Sequence, residues 1–187
     1  VLIDQRVDDA AATLQDDSVT ESFVDPRVRL DAPLGAFTGA QAIAPITAGT
    51  VVVAFGGRCV TRAHVPSTAR AVQIEEALFL VADDGVADAV LHSCEPSCEL
   101  RGAAVLVAGR DLVPGEAITY DYATSQGTDD DEFECQCGSA LCRGKITGHD
   151  WMLPELQLRY RGAFSPYLGQ RIAALHHIGA ERRAFAL

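Results

Sequence analysis

Two cysteine-bearing stretches constrain this chain most. They are Leu91-His92-Ser93-Cys94-Glu95-Pro96-Ser97-Cys98, and Cys135-Gln136-Cys137-Gly138 followed by Cys142-Arg143-Gly144. Thiols at the spacing C-x-C-x4-C, with Gly138 letting the backbone turn sharply, make three corners of a tetrahedron. A closed structural zinc site needs a fourth ligand, and thiolate is its commonest choice. Cys94, in a tight Ser-Cys-Glu-Pro turn, is the candidate fourth corner beside Cys135, Cys137 and Cys142. Such a metal clips a loop near residue 94 to a loop near residue 140 and fixes whatever lies between them. Disulfides are the competing reading. The chain is not small, carries no secretion signal, and its C-x-C pair cannot easily bridge to itself, so zinc is favoured. Cys59 and Cys98 are left over, and buried free thiols are common.

At 187 residues and 48% hydrophobic content the chain suits one domain with a modest appendage, enough to bury a core. No apolar run is long enough to span a bilayer, so no membrane partner is expected. Residues 1–20 lack the basic-then-apolar layout of a signal peptide. A net charge of −11 argues against binding a phosphate backbone, and no direct nucleic-acid binding is expected. That charge is compatible with a cationic partner, and equally with plain solubility. A single lysine, Lys145, stands against fourteen arginines, with abundant Ala, Val, Gly and Asp. The bias resembles a GC-rich coding sequence, which leads to the expectation of a bacterial, cytoplasmic protein.

Residues 1–24 read as an acidic, loosely docked extension, with order beginning at Phe23-Val24-Asp25-Pro26. Val28-Arg29-Leu30 reads as a short strand. Glycines at 35, 39, 49, 56 and 57 then punctuate short apolar runs, the pattern of strands joined by tight turns. Further strands are expected at 71–74, 77–81, 103–108 and 117–122. Closely spaced short strands argue for a mainly β, α+β domain. Gly127 to Glu132 reads as a solvated acidic loop. Beyond it Leu153, Leu156 and Tyr160 share a helical face, with Pro154 in the first turn. A second helix is expected from Pro166, with Ser165 as N-cap. This helical tail is expected to pack on the β core.

Five blocks in order carry a family resemblance: Ile46-Thr-Ala-Gly49, Phe55-Gly56-Gly57, His92 to Cys98, Pro114-Gly-Glu-Ala-Ile-Thr-Tyr-Asp-Tyr122, and Cys135 to Gly144. Together they resemble the SET-domain methyltransferases with a post-SET zinc segment, over roughly residues 25–150. The tail from Trp151 resembles helical extensions in small bacterial members. The resemblance implies a SET-type fold of small β-sheets around a pseudoknot, made here by the His92-Ser93-Cys94 loop and the 120–122 strand. It divides the chain into an extension (1–24), a SET-like core (25–124), a post-SET zinc segment (125–150) and a helical extension (151–187). The implied cofactors are S-adenosylmethionine and structural zinc, and the implied reaction is in-line methyl transfer to a lysine amine. That amine must be neutral, which burial beside a like charge favours.

By the same resemblance Tyr122 is the catalytic tyrosine; its other reading is a core strand tyrosine. Tyr120 matches the position limiting channel volume, or is ordinary β packing. Gly39, with Ala40 and Gln41, matches the cofactor loop, where a missing side chain lets backbone approach. Leu91 and His92 fall at the cofactor, His92 through its backbone or in a structural role. Trp151 or Phe133 stacks on adenine, unless each is simple packing. Leu91 stands where the family has asparagine, Phe55 where it has tyrosine, Phe37 (with Gly35 nearby) where it has the first glycine of G-x-G, and Ser97 where it has asparagine. Three functions remain open. The first is N-methylation of a lysine on a basic protein, attracted by Asp129, Asp130, Asp131, Glu132 and Glu134. The second is the same fold acting on a small amine or natural product. The third is a zinc-stabilised module without catalysis.

Overall fold

A computed structural model describes residues 20–34, 37–67, 70–128 and 132–184. The expected extension up to residue 19, Gly35, the Phe37 side chain and Asp129 to Asp131 lie outside the described residues.

The chain builds small sheets from short strands, as the glycine spacing predicts. β1 (Phe23–Val24) pairs with β4 (Val51–Ala54), which continues through β10 (Val105–Ala108) to β9 (Cys98–Arg101), all antiparallel. β2 (Val28–Leu34) and β3 (Phe37–Ala42) form a hairpin. β5 (Arg58–Thr61), β7 (Leu78–Val81) and β6 (Val72–Gln73) make a three-stranded sheet. β8 (Leu91–His92) and β11 (Thr119–Tyr120) pair in parallel, and β12 (Phe133–Glu134) pairs with β13 (Lys145–Ile146). The sheets enclose one core in which Ile46, Val52, Val53, Leu100, Leu106 and Ile118 are buried. A short helix α1 (Val86–Ala89) precedes β8, and α2 (Pro154–Arg159) and α3 (Pro166–Ala184) follow the cysteine segment.

The Phe55-Gly56-Gly57 block has a packing reason. A Cβ on Gly56 would meet Thr20 O at 2.2 Å, and one on Gly57, at φ +121°, would meet Val81 O at 2.4 Å. Any side chain at either site would push apart the segment at 20–22 and the end of β7.

The expected pseudoknot takes the form of a loop fastened across a distant strand. β8 and β11 run side by side, with Thr119 opposite Leu91 and Tyr120 opposite His92. Ser97 makes the stitch: its Oγ donates to Ala117 O (2.8 Å) and accepts from Thr119 N (3.0 Å). Its own N–H donates to Thr119 Oγ1 (3.1 Å). A serine thus completes the crossing where the resemblance anticipates asparagine. Ser97→Ala is expected to destabilise the fold by about 1–3 kcal/mol, because it leaves buried backbone groups unsatisfied. Urea unfolding measures this, and an unchanged midpoint would mean the stitch contributes nothing.

Two local expectations are corrected. The strand at 117–122 stops at Tyr120, and Tyr122–Thr124 is a 3-10 turn capped by Asp121, whose carboxylate accepts from Ala123 N at 3.1 Å. A carboxylate two residues before a free N–H competes with strand pairing, which ends the strand. α3 begins at Pro166 as expected, yet Ser165 Oγ has no hydrogen-bond partner among the described residues, and its carbonyl accepts from Gly169 N. The tail docks on the Tyr122–Thr124 turn. Leu156, Tyr160 and Ala163 pack with Ala123, Ser165 N donates to Thr124 O, and Tyr167 Oη donates to Ser125 O.

Candidate functional site

Cys94, Cys135, Cys137 and Cys142 converge: their sulfurs all lie within 4.8 Å of one another, with Cys94 Sγ 3.9 Å from Cys135 Sγ. A tetrahedron with zinc–sulfur bonds of ~2.3 Å has edges of about 3.8 Å, so the four thiols can hold a zinc ion. Gly138 sits at φ +71° and Gly144 at φ +75°, which lets the segment double back so that Cys135 N donates to Gly144 O. Burial pushes the Cys94 thiol up to about 11 and raises Cys135 further. Burial also acts upward on Cys137, but backbone donors overcome it and bring that thiol down to about 6. A bound cation would hold all four as thiolates. Chelation is expected to free the 133–150 segment, read as faster amide exchange there than in β4 and β10. A pure protein without zinc, or an unaltered exchange pattern, would contradict this.

A buried ionic network lies under the cluster. Arg143 forks onto Asp121 (2.6 and 2.8 Å), and its Nε donates to Asp150 (2.8 Å). Arg143 N also donates to Cys94 Sγ (3.4 Å). Burial works to lower the guanidinium pKa, but the carboxylates win and raise it. Tyr160 Oη donates to Asp121, and Arg159 donates to Cys94 O. Loop, turn, cysteine segment and α2 therefore meet at one carboxylate. His92 joins the same region. Burial drives its imidazole down to about 4, so the ring is neutral at pH 7 and its 3.7 Å approach to Asp121 is not an ion pair. Tyr122 N donates to Nδ1 (3.3 Å), which leaves the proton on Nε2, 3.3 Å from Cys94 Sγ.

Two cavities share Tyr122 in their walls. The first, about 590 Å³, is lined by Leu34, Leu91, His92, Ser93 and Gln136 among others. The second, about 650 Å³, is lined by Pro66, Val72, Tyr120 and Gln126 among others. Arg70, Tyr122 and Phe133 line both. Tyr122 Oη donates to Val90 O (3.0 Å) and accepts from Arg70 Nη1 (3.1 Å). The Tyr120 ring lies 4.9 Å from that of Tyr122 and 6.0 Å from Phe55. Ser125 Oγ donates to Tyr120 Oη at 3.4 Å, and burial raises the Tyr120 pKa.

The candidate residues separate by position. Leu91, His92 and Tyr122 line the first cavity, and Tyr120 and Tyr122 line the second. Neither Gly39 nor the buried Ala40 is among the residues lining the first cavity. A Cβ on Gly39 would meet Leu34 Cδ1 at 2.8 Å and Leu91 Cδ1 at 3.1 Å, so the space there is already filled by leucine. Gln41 turns away to donate to Gly115 O. Trp151 packs with Tyr167 and Leu168 under the Arg171 guanidinium, 4.5 Å from its ring. Of the two aromatic candidates, Phe133 is the one at the cavities. Sequence reasoning passed over Arg70, Asp121, Arg143 and Asp150. Asp121 and Arg143 sit inside motifs it quoted; Arg70 has no local signal at all.

No family model matches the chain. It is 30% identical over 129 residues to the histone-lysine N-methyltransferase ash1 of Drosophila melanogaster, covering 59% of this chain and 6% of that protein. It is 34% identical over 85 residues to an H3 lysine-4 specific histone-lysine N-methyltransferase of Schizosaccharomyces pombe, covering 37% of this chain and 9% of that one. The chain thus spans under a tenth of the length of these relatives. Among solved structures, KRYPTONITE in complex with mCHH DNA, an H3(1-15) peptide and SAH aligns at TM-score 0.47 and 24% identity, over 63% of this chain and 28% of that one. Over these stretches the chain is similar to histone-lysine N-methyltransferases. No helix among the described residues is long and apolar enough to cross a membrane.

Proposed function

We propose that the chain is an S-adenosylmethionine-dependent N-methyltransferase that modifies a lysine side chain, with a structural zinc ion on Cys94, Cys135, Cys137 and Cys142. Residues 25–124 are the catalytic core, 125–150 the metal-bearing flap, and 151–187 a buttress behind the Tyr122 turn. The observation carrying this reading is that Tyr122 lines two cavities. In-line transfer needs donor and acceptor to approach one point from opposite sides.

The first cavity is of a size for a nucleoside-bearing ligand. Its wall supplies apolar surface from Leu34, Leu91 and Phe133, with polar atoms from Ser93 and Gln136. S-adenosylmethionine, when bound, supplies a methyl group activated on a sulfonium. Tyr122 orients the acceptor at the neck through its hydroxyl, which Val90 O holds in place. Tyr120 closes the second cavity, where its bulk restricts how many methyl groups the acceptor nitrogen can carry. Leu91 removes an amide from the cofactor side, worth about 0.5–1.5 kcal/mol of binding. Phe55, buried against Tyr120, removes a hydroxyl from the acceptor side.

The acceptor is a lysine-bearing peptide. The chain's charge of −11 favours a basic one, with Glu132 and Glu134 among the carboxylates that line the cavities. That same charge disfavours a phosphate backbone as partner. The small-amine and non-catalytic readings gain no support from the relatives' names. Calorimetry with S-adenosylhomocysteine, followed by labelled-methyl transfer to a histone H3 peptide, tests the proposal. No binding of S-adenosylhomocysteine by the zinc-loaded chain would overturn it.

A further inference from the structure

Arg70 comes from the segment before β6, 52 residues from Tyr122 in sequence, yet its Nη1 donates to Tyr122 Oη at 3.1 Å. It lines both cavities, as Tyr122 does. We propose that Arg70 is a positioning residue of the transfer site: it sets the direction of the Tyr122 hydroxyl and places a fixed positive charge where the acceptor amine arrives, keeping that amine neutral. The inference rests on the methyltransferase reading above.

A guanidinium has donors and no acceptor. Where it meets Tyr122 Oη the phenol must accept, so its own proton is sent to another partner, Val90 O at 3.0 Å. One side chain thereby removes the rotational freedom of the hydroxyl. The charge acts separately. A protonated lysine has no lone pair to give, and a nearby cation disfavours the ammonium form. Among the described residues, Arg70 meets the Tyr122 hydroxyl, and Tyr120 from β11 and His92 from β8 lie beside its ring. Tyr120 stays protonated because it is buried. Arg62 and Glu132 line the second cavity, Glu132 being ion-paired with Lys145. Asp88 approaches Arg70 to 3.8 Å, but the two side chains are 53% and 61% exposed, so the pair is screened by water and cancels little of the charge. The exposure of Arg70 also means that replacing it should leave the fold intact.

The full, zinc-loaded chain is compared with its Arg70→Met and Arg70→Lys variants. Tyrosine labelled with 13C at Cζ reports on Tyr120, Tyr122, Tyr160 and Tyr167, which Tyr→Phe changes assign. Arg70→Met is expected to move the Tyr122 resonance and to leave those of Tyr160 and Tyr167 in place. With a histone H3 peptide as probe, the same variant should lower kcat about tenfold while the peptide KM stays within about twofold. The acid limb of its pH–rate profile should also move to higher pH. Arg70→Lys keeps the charge and should restore the limb. An unmoved Tyr122 resonance, or an unchanged kcat and acid limb in Arg70→Met, would overturn the role. A moved resonance with no methyl transfer even by the unmodified chain would instead overturn the methyltransferase reading, and the role of Arg70 with it.

Discussion

Tyr122→Phe is expected to lower turnover on a histone H3 peptide at least tenfold and to leave the affinity for S-adenosylhomocysteine within about twofold. The substitution removes one oxygen and little else. The ring keeps its neighbours Tyr120, His92 and Phe133, and the backbone N–H still donates to His92. What is lost is the hydroxyl at the neck between the cavities, which the transfer needs for orientation more than for proton abstraction. Val90 O loses its side-chain donor in the same step. Val90 is buried, so a stability loss of about 1–3 kcal/mol accompanies the change. Assays are therefore run well below the unfolding midpoint. Turnover equal to that of the unmodified chain would remove Tyr122 from the catalytic role.

The largest stability effect is expected at Arg143. Its side chain is 13% exposed and that of Asp121 is fully buried, so Arg143→Met strands a carboxylate without its cation. Breaking one side of a buried pair costs about 3–5 kcal/mol, most of it the penalty of the charge left behind. The urea midpoint should fall accordingly. Adding Asp121→Asn to Arg143→Met should recover part of the loss, because the orphaned charge is gone. Arg143→Lys should not rescue, since an ammonium cannot fork onto Asp121 while also reaching Asp150. A loss under about 1 kcal/mol for Arg143→Met would show that the network relaxes when broken and holds little. The effect should reach the metal too, because Arg143 N faces Cys94 Sγ and Arg159 holds the Cys94 carbonyl.

Much of the architecture was legible because it is local. Strands at Val51–Ala54, Leu78–Val81 and Val105–Ala108 follow from short apolar runs between glycines, and the first turns of α2 and α3 from Pro154 and Pro166. Gly138 between Cys137 and Cys142 announced a backbone reversal that its φ of +71° makes. One expectation failed for an equally physical reason. Tyr122 was assigned to a strand, but the Asp121 carboxylate caps a turn there instead. Gly39 lies against Leu34 and Leu91, and Trp151 packs with Tyr167 and Leu168.

By itself the sequence determined the converging cysteine set and the small-sheet architecture, since spacing along a chain is readable without neighbours. Only the tertiary structure decided which charges meet. Arg70 reaches Tyr122 across 52 residues and Arg143 reaches Asp121 across 22. A guanidinium carries no periodicity that marks its partner in advance. Its place is set by the desolvated oxygen that the fold leaves within its reach.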